Sequence, residues 1–311
     1  MEKYTGSLLG LAIGDALGAT VEFCKPGTFE PIREIVGGGV HKLEPGEWTD
    51  DTSMALCLAE SILQANGFDP ADQMKRYLKW FREGYLSSKD HCFDIGNATR
   101  DALLSFEKTG RPYAGSTDPW SAGNGSIMRL APVPLFYAEE PALALEMCSR
   151  SSATTHAAKN AMDACVYFGG LLLGALRGEE KERLLADFYS PIENGSFFEE
   201  MTPELSAVAR GSYKRKDASL IKGSGYVVES LEAALWAFHH SSSFEEGLLL
   251  AVNLGDDADT TGAVYGQLAG AYYGMEELPP KMYAIIKHRK LIEAIAVRLY
   301  QNRYHPSRLF P

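Results

Sequence analysis

Long apolar runs are missing from this 311-residue sequence: no window reaches the roughly eighteen apolar residues that a membrane-spanning helix needs. The run Leu8, Leu9, Leu11, Ala12 and Ile13 carries Asp15 and Glu22 close behind it and no cleavage-site pattern, so it reads as core rather than as a secretory leader. Basic residues are short as well. Thirty Lys and Arg against 41 Asp and Glu leave a net charge of −11, which disfavours nucleic-acid binding and requires local backbone donors or cations for any anionic ligand. The five cysteines, Cys24, Cys57, Cys92, Cys148 and Cys165, are odd in number and form no C-x-x-C pair; reduced thiols in a cytoplasmic protein fit this spacing. Strand signals are scarce throughout, and no 20–50-residue repeat is present.

What is there is helical. Apolar periodicity predicts helices over 5–20, from Ser53 through Ile62, and over 70–83, 96–108, 141–150, 156–176 and 179–188. Another begins near Tyr226, with Val227, Leu231, Ala234, Leu235 and Phe238 on one face, and a last one spans 281–302. Long helical patterns joined by short loops point to an all-α fold, here a single domain over 1–311. The polar segment 185–225 reads as a variable insertion, its Lys214-Arg215-Lys216 run as a solvated surface. Residues 27–47, with Gly37-Gly38-Gly39, form a loop able to act as a lid. Two glycine stripes recur at every fourth position, Gly6, Gly10, Gly14, Gly18 and Gly262, Gly266, Gly270, Gly274. Each gives a helix a side-chain-free face for close packing.

Chemistry concentrates where two of these helices begin. Trp48-Thr49-Asp50-Asp51-Thr52 opens one, and Asp256-Asp257-Ala258-Asp259-Thr260-Thr261 opens the other. Taken singly, each is an ordinary cap, since Thr and Asp satisfy orphan N–H groups and favour the positive end of the helix dipole. Taken together, Thr49, Asp50, Asp51, Asp257, Asp259 and Thr260 supply the oxygen donors that hard divalent cations prefer. An EF-hand register over the second cluster fails, because Leu268 falls where the bidentate Glu belongs. The turn Ser121-Ala122-Gly123-Asn124-Gly125-Ser126, with Arg129 beyond it, offers N–H groups to phosphate, although most such turns merely reverse the chain. His156 and Asp94 read individually as structural, the latter as a cap.

The ordered set Gly14–Phe23, Trp48–Thr52, Phe93–Asn97, Gly123–Arg129, Thr154–His156, Gly225–Glu229 and Asp256–Thr260 resembles the ADP-ribosylglycohydrolase family. Within it, the set is most similar to the bacterial dinitrogenase reductase activating branch. The resemblance implies an all-α fold around a binuclear Mg²⁺ or Mn²⁺ centre with Thr49, Asp50, Asp51, Asp257, Asp259 and Thr260 as ligands. It further implies phosphates at Asn124, Gly125 and Ser126 and near His156, adenine stacked on Tyr226, and reaction acids among Asp50, Asp51, Asp94 and Glu22. The implied reaction releases ADP-ribose from an ADP-ribosylated protein, with an arginine-linked substrate expected ahead of a serine-linked one. Acidic clusters and a Gly-rich turn also suit a two-metal nucleotide phosphoesterase, and a non-catalytic ADP-ribose binder is a further reading. Neither a membrane nor a nucleic acid is expected as partner.

Overall fold

The structure is a computed structural model and describes residues 1–192 and 201–305. In chain order the helices are α1 (Glu2–Gly18), α2 (Asp50–Ala65), α3 (Pro70–Glu83), α4 (Asn97–Thr109), α5 (Pro132–Phe136), α6 (Pro141–Ala153) and α7 (Lys159–Arg177). They continue with α8 (Lys181–Leu184), α9 (Pro203–Ala209), α10 (Val227–His239), α11 (Phe244–Val252), α12 (Ala258–Tyr273), α13 (Pro280–Ile285) and α14 (Arg289–Gln301). Only isolated bridges, and no strands, occur among the described residues. The domain is all-α, and none of the described helices is long and apolar enough to cross a membrane.

The two glycine stripes meet each other. α1 and α12 run antiparallel with their backbones in contact: a Cβ placed on Gly14 would sit 2.0 Å from the Gly262 carbonyl oxygen, and one on Gly6 2.4 Å from that of Gly270. No side chain fits such a seam, which is why glycine recurs from Gly6 to Gly18 and from Gly262 to Gly270. Both helices are buried almost end to end. The seam therefore forms the centre of the domain, with α2, α7, α10, α11 and α14 packed around it. Ser7 Oγ reinforces it, donating to the Gln267 carbonyl at 2.9 Å.

Several expected boundaries shift, each for a local reason. The helix expected over 281–302 is two, because His288 adopts φ +54° between α13 and α14. The break is tied to the stretch before α2, with Lys287 N–H donating to the Gly46 carbonyl at 2.9 Å and Trp48 Nε1 donating to that of Lys287 at 3.1 Å. The helix expected from 156 starts at Lys159, leaving His156 in the preceding turn, and that expected over 179–188 is the single turn α8. α5, α9 and α11 were not visible in the periodicity. α9 lies inside the 185–225 segment, part of which, 193–200, falls outside the described residues. Lys216 is not merely solvated: its Nζ pairs with Glu232 at 2.7 Å, and its carbonyl accepts from Trp236 Nε1 at 2.9 Å.

Candidate active site

Helix starts, or the turns before them, place nearly every candidate side chain. Thr49 is the N-cap of α2 and Asp257 that of α12, yet neither makes a side-chain capping bond, so the reading of these clusters as plain caps does not hold. The capping of α2 comes from a different helix. Asp15 of α1, fully buried, accepts from Thr49 N at 2.8 Å, Thr52 N at 3.0 Å, and the hydroxyls of the same two residues at 2.9 and 2.6 Å. The seam puts Asp15 within reach of α2 and beside the start of α12.

A shortage of protons results. The single Thr49 hydroxyl faces Asp15 Oδ1 at 2.9 Å, Asp51 Oδ2 at 3.0 Å and Asp259 Oδ2 at 3.2 Å, and can donate to one of them. Asp51 Oδ1 is buried with no hydrogen-bond partner among the described residues. Oxygens of Asp15, Asp51 and Asp259 lie within 4.8 Å of one another, as do those of Glu22, Asp257 and Asp259; Asp259 belongs to both groups. No Lys or Arg pairs with Asp15, Asp50, Asp51, Asp257 or Asp259 among the described residues. Buried carboxylates without cationic partners must be protonated or hold a metal. Burial, reinforced by like-charged neighbours, drives Asp50, Asp51 and Asp259 well above the usual carboxylate range. Burial also raises Asp257, against an opposing hydrogen bond from Asn124, and raises Asp15 to about 6. This is a donor set that fits divalent cations.

A cleft of about 270 Å³ opens above these carboxylates, lined among others by Glu22, Asp50, Asp94, Asn124, Gly125, His156, Asp257, Asp259 and Thr260. Thr49 and Asp51 lie behind this lining, wholly buried. Asp94 is not a cap: α4 is capped by Gly96 without a side-chain bond, and Asp94 sits at φ +52° facing the cleft. His41, which sequence reasoning missed, reaches in from the 27–47 loop. Its Nε2 lies 3.1 Å from Glu22 Oε2 and 3.3 Å from Asp94 Oδ1, aligned with neither as a hydrogen bond but attracting both as a cation. Those two carboxylates, Asp94 ahead of Glu22, push His41 up to about 10. Burial, with Asp94 adding, raises Glu22 to about 7 despite His41.

The Gly-rich turn is stitched to the start of α10. Asn124 N–H donates to the Gly225 carbonyl at 3.0 Å and Val227 N–H to that of Ala122 at 3.1 Å, while Asn124 Nδ2 donates to Asp257 Oδ2 at 2.8 Å. The backbone N–H groups of Gly125 and Ser126 have no acceptor among the described residues. Ser126 itself is buried below the turn, its hydroxyl taken by Ser152 at 2.8 Å. Tyr226 is half-buried beside Gly225 and outside the lining; its hydroxyl accepts from Asn160 Nδ2 at 2.7 Å. Of the expected site residues, the structure thus gathers all but Tyr226 in or directly beneath one cleft, and adds Asp15 and His41.

The family model of ADP-ribosylglycohydrolase matches residues 1–308. An ADP-ribosylarginine hydrolase Tri1 of Pseudomonas putida (strain GB-1) is 42% identical over 302 residues, covering 97% of this chain and 79% of the relative. The expected likeness to the dinitrogen reductase branch is also found. The ADP-ribosyl-[dinitrogen reductase] glycohydrolase of Rhodospirillum rubrum is 32% identical, over 89% of this chain and 88% of its own. A solved structure titled ADP-ribosylglycohydrolase-related protein complex superposes with a TM-score of 0.85 at 47% identity, over 97% of this chain and 98% of that one. Since these matches run the length of the chain and take in every element that builds the cleft, the chain belongs to the ADP-ribosylglycohydrolase family.

Proposed function

We propose that the chain hydrolyses the bond between the ribose of ADP-ribose and an arginine side chain of a modified protein, releasing ADP-ribose. Two divalent cations, Mg²⁺ or Mn²⁺, would be held by Thr49, Asp50, Asp51, Asp257, Asp259 and Thr260. One observation carries this reading: among the described residues, buried aspartates with no Lys or Arg partner lie in the same cleft as a turn whose Gly125 and Ser126 N–H groups have no acceptor. Asp51 and Asp257 of this ligand set belong to separate carboxylate groups that share Asp259, and this arrangement supports two cation positions with Asp259 in common. The 42% identity to a protein named for arginine-linked hydrolysis supports the acceptor. Cations in that position would polarise the ribose hydroxyls and make a nearby water more acidic.

The chain's own residues supply the rest. Breaking a glycosidic bond builds positive charge on the ribose, and the carboxylates of Asp50, Asp94 and Glu22 along the cleft favour that charge. Glu22 and Asp94 lie outside the proposed ligand set and touch His41, so they are the sites for a proton taken from water or passed to the leaving guanidine. The N–H groups of Gly125 and Ser126, with His156, receive the diphosphate, and Tyr226, anchored by Asn160, offers a ring face to adenine. The test is direct. Arginine- and serine-linked ADP-ribosyl peptides are offered with Mg²⁺, Mn²⁺ or chelator and the products identified by mass spectrometry. Metal-dependent release of intact ADP-ribose from the arginine peptide is expected; nucleoside monophosphate or inorganic phosphate as product would overturn the reading.

A further inference from the structure

We propose that Arg129 and Thr155 form a positioning relay that fixes the tautomer of His156, so that its Nε2–H points into the cleft as a donor to a diphosphate oxygen. The ligand named here rests on the functional reading above; the relay itself does not.

The chain of bonds begins at a buried cation. Arg129 is 1% exposed and has no carboxylate partner among the described residues. Its guanidinium lies over the Tyr77 ring, 4.5 Å from the centroid. Its Nη1 donates to the Gly125 carbonyl at 2.7 Å, which turns that oxygen inward, away from any anion in the cleft. Its Nη2 donates to Thr155 Oγ1 at 2.6 Å. A guanidinium has no acceptor, so Thr155 oxygen must accept this bond. The hydroxyl proton of Thr155 is then left with His156 Nδ1, 2.8 Å away, as its acceptor. A ring nitrogen that accepts carries no proton, so the proton of the neutral ring sits on Nε2.

That nitrogen has no partner among the described residues, although the ring is 3% exposed and lines the cleft. It lies directly under the Gly-rich turn: a Cβ on Gly125 would stand 3.1 Å from Nε2 and one on Gly123 3.4 Å. Burial, and then the Arg129 charge, push His156 down to about 3, which keeps the ring neutral through the physiological range. Arg129 therefore acts twice. It forbids the imidazolium and, through Thr155, decides which nitrogen donates. Its own charge stays behind the turn without a counter-ion, where an incoming anion would balance it.

The relay is read in the free protein by long-range ¹H–¹⁵N correlation spectra, with the His156 signals assigned from their loss in His156→Gln. A neutral ring protonated on Nε2 is expected throughout about pH 5–8. Thr155→Val keeps the shape and deletes the hydroxyl. It is expected to yield mixed tautomers and about tenfold weaker ADP-ribose binding by calorimetry, with Thr155→Ser restoring both. A wild-type ring protonated on Nδ1 overturns the relay, whether or not Thr155→Val folds. So does a folded Thr155→Val protein that keeps the Nε2–H ring or the wild-type affinity. Wild-type protein that fails to bind ADP-ribose refutes the functional reading and the ligand named here. That failure is distinct from failure of the relay, because the tautomer is measured without ligand.

Discussion

Replacing Asp15 with Asn tests the link between the glycine seam and the acidic site. Asp15 accepts four hydrogen bonds, two from Thr49 and two from Thr52. An amide oxygen turned toward Thr49 keeps one pair and presents the NH₂ to Thr52, whose hydroxyl can turn to accept but whose backbone N–H cannot. One bond to a charged acceptor is lost, at about 1.5–3 kcal/mol, and the hydroxyl bond weakens to a neutral one at about 1 kcal/mol, roughly 2.5–4 kcal/mol together. An opposing term exists. Asp15 oxygen lies within 4.8 Å of those of Asp51 and Asp259, and two full charges 4.8 Å apart repel by about 3.5 kcal/mol at an effective dielectric of ~20. In chelated protein, where these carboxylates shed part of their charge by binding protons, relief of the remaining repulsion offsets part of the lost hydrogen bonding and the thermal midpoint should fall less than in metal-loaded protein. In metal-loaded protein the repulsion is already neutralised, so the full loss remains, about 5–8 °C in Tm at roughly 2 °C per kcal/mol. Scanning fluorimetry of Asp15→Asn and wild type, each with Mn²⁺ and with chelator, measures the four midpoints. Equal destabilisation in both conditions, or wild-type turnover and metal response in the variant, would refute the argument.

Asp257→Asn and Asp50→Asn each remove a charged oxygen from the site rather than a packed core group, so turnover should be abolished and metal content should fall while the circular dichroism stays native; full activity in a metal-free double variant would defeat the proposed ligand set. Tyr226→Ala should weaken ADP-ribose about tenfold without altering metal loading, since base stacking is worth about 1–3 kcal/mol; calorimetry on the folded variant decides. His156 gives a pH signature. Its folded value near 3 lies below its unfolded 6.5, so the unfolded chain binds the extra proton between them, and this contribution to stability, full above 6.5, falls as pH drops toward 3. The loss approaches about 3 kcal/mol by pH ~4. Urea titrations should show His156→Gln losing correspondingly less stability than wild type over that range, and parallel curves would count against a buried neutral ring.

The sequence exposed whatever is local. The two acidic helix starts are contiguous, so Thr49–Thr52 and Asp257–Thr260 declare their oxygens, and the glycine stripes declare a bare face through their four-residue spacing. It could not say which face meets which, because pairing α1 with α12 is a tertiary event across some 250 residues of chain. Asp15 was hidden for that reason. Its partners, Thr49 and Thr52, lie 34 and 37 positions away, and along the sequence it was visible only as a charge that argued against a leader and as one member of the Gly14–Phe23 stretch. An acid inside an otherwise apolar, glycine-striped helix was the available signal. His41 sits in a loop without periodicity, where nothing announces that Glu22 and Asp94 will converge on it. The break at His288 was invisible because apolar spacing runs through it and the contacts that impose it come from Gly46 and Trp48.

The seam also explains why so acidic a centre is built on two of the most buried helices in the domain. Gly14 directly precedes Asp15, and the backbone it touches at Gly262 is three residues beyond Asp259. Contact at this point therefore fixes how far apart two of the three carboxylates around the Thr49 hydroxyl can stand. With any side chain at Gly14 the helices would have to separate, since its Cβ would fall 2.0 Å from the Gly262 oxygen. Asp259 would then move away from Asp15, Asp51 and Glu22, which are carried by α1, α2 and the chain after α1, while staying beside Asp257, the N-cap of its own helix. A carboxylate can belong to both groups only while both distances hold. The glycines thus act on the chemistry without touching it: they set the one spacing that lets Asp259 be shared.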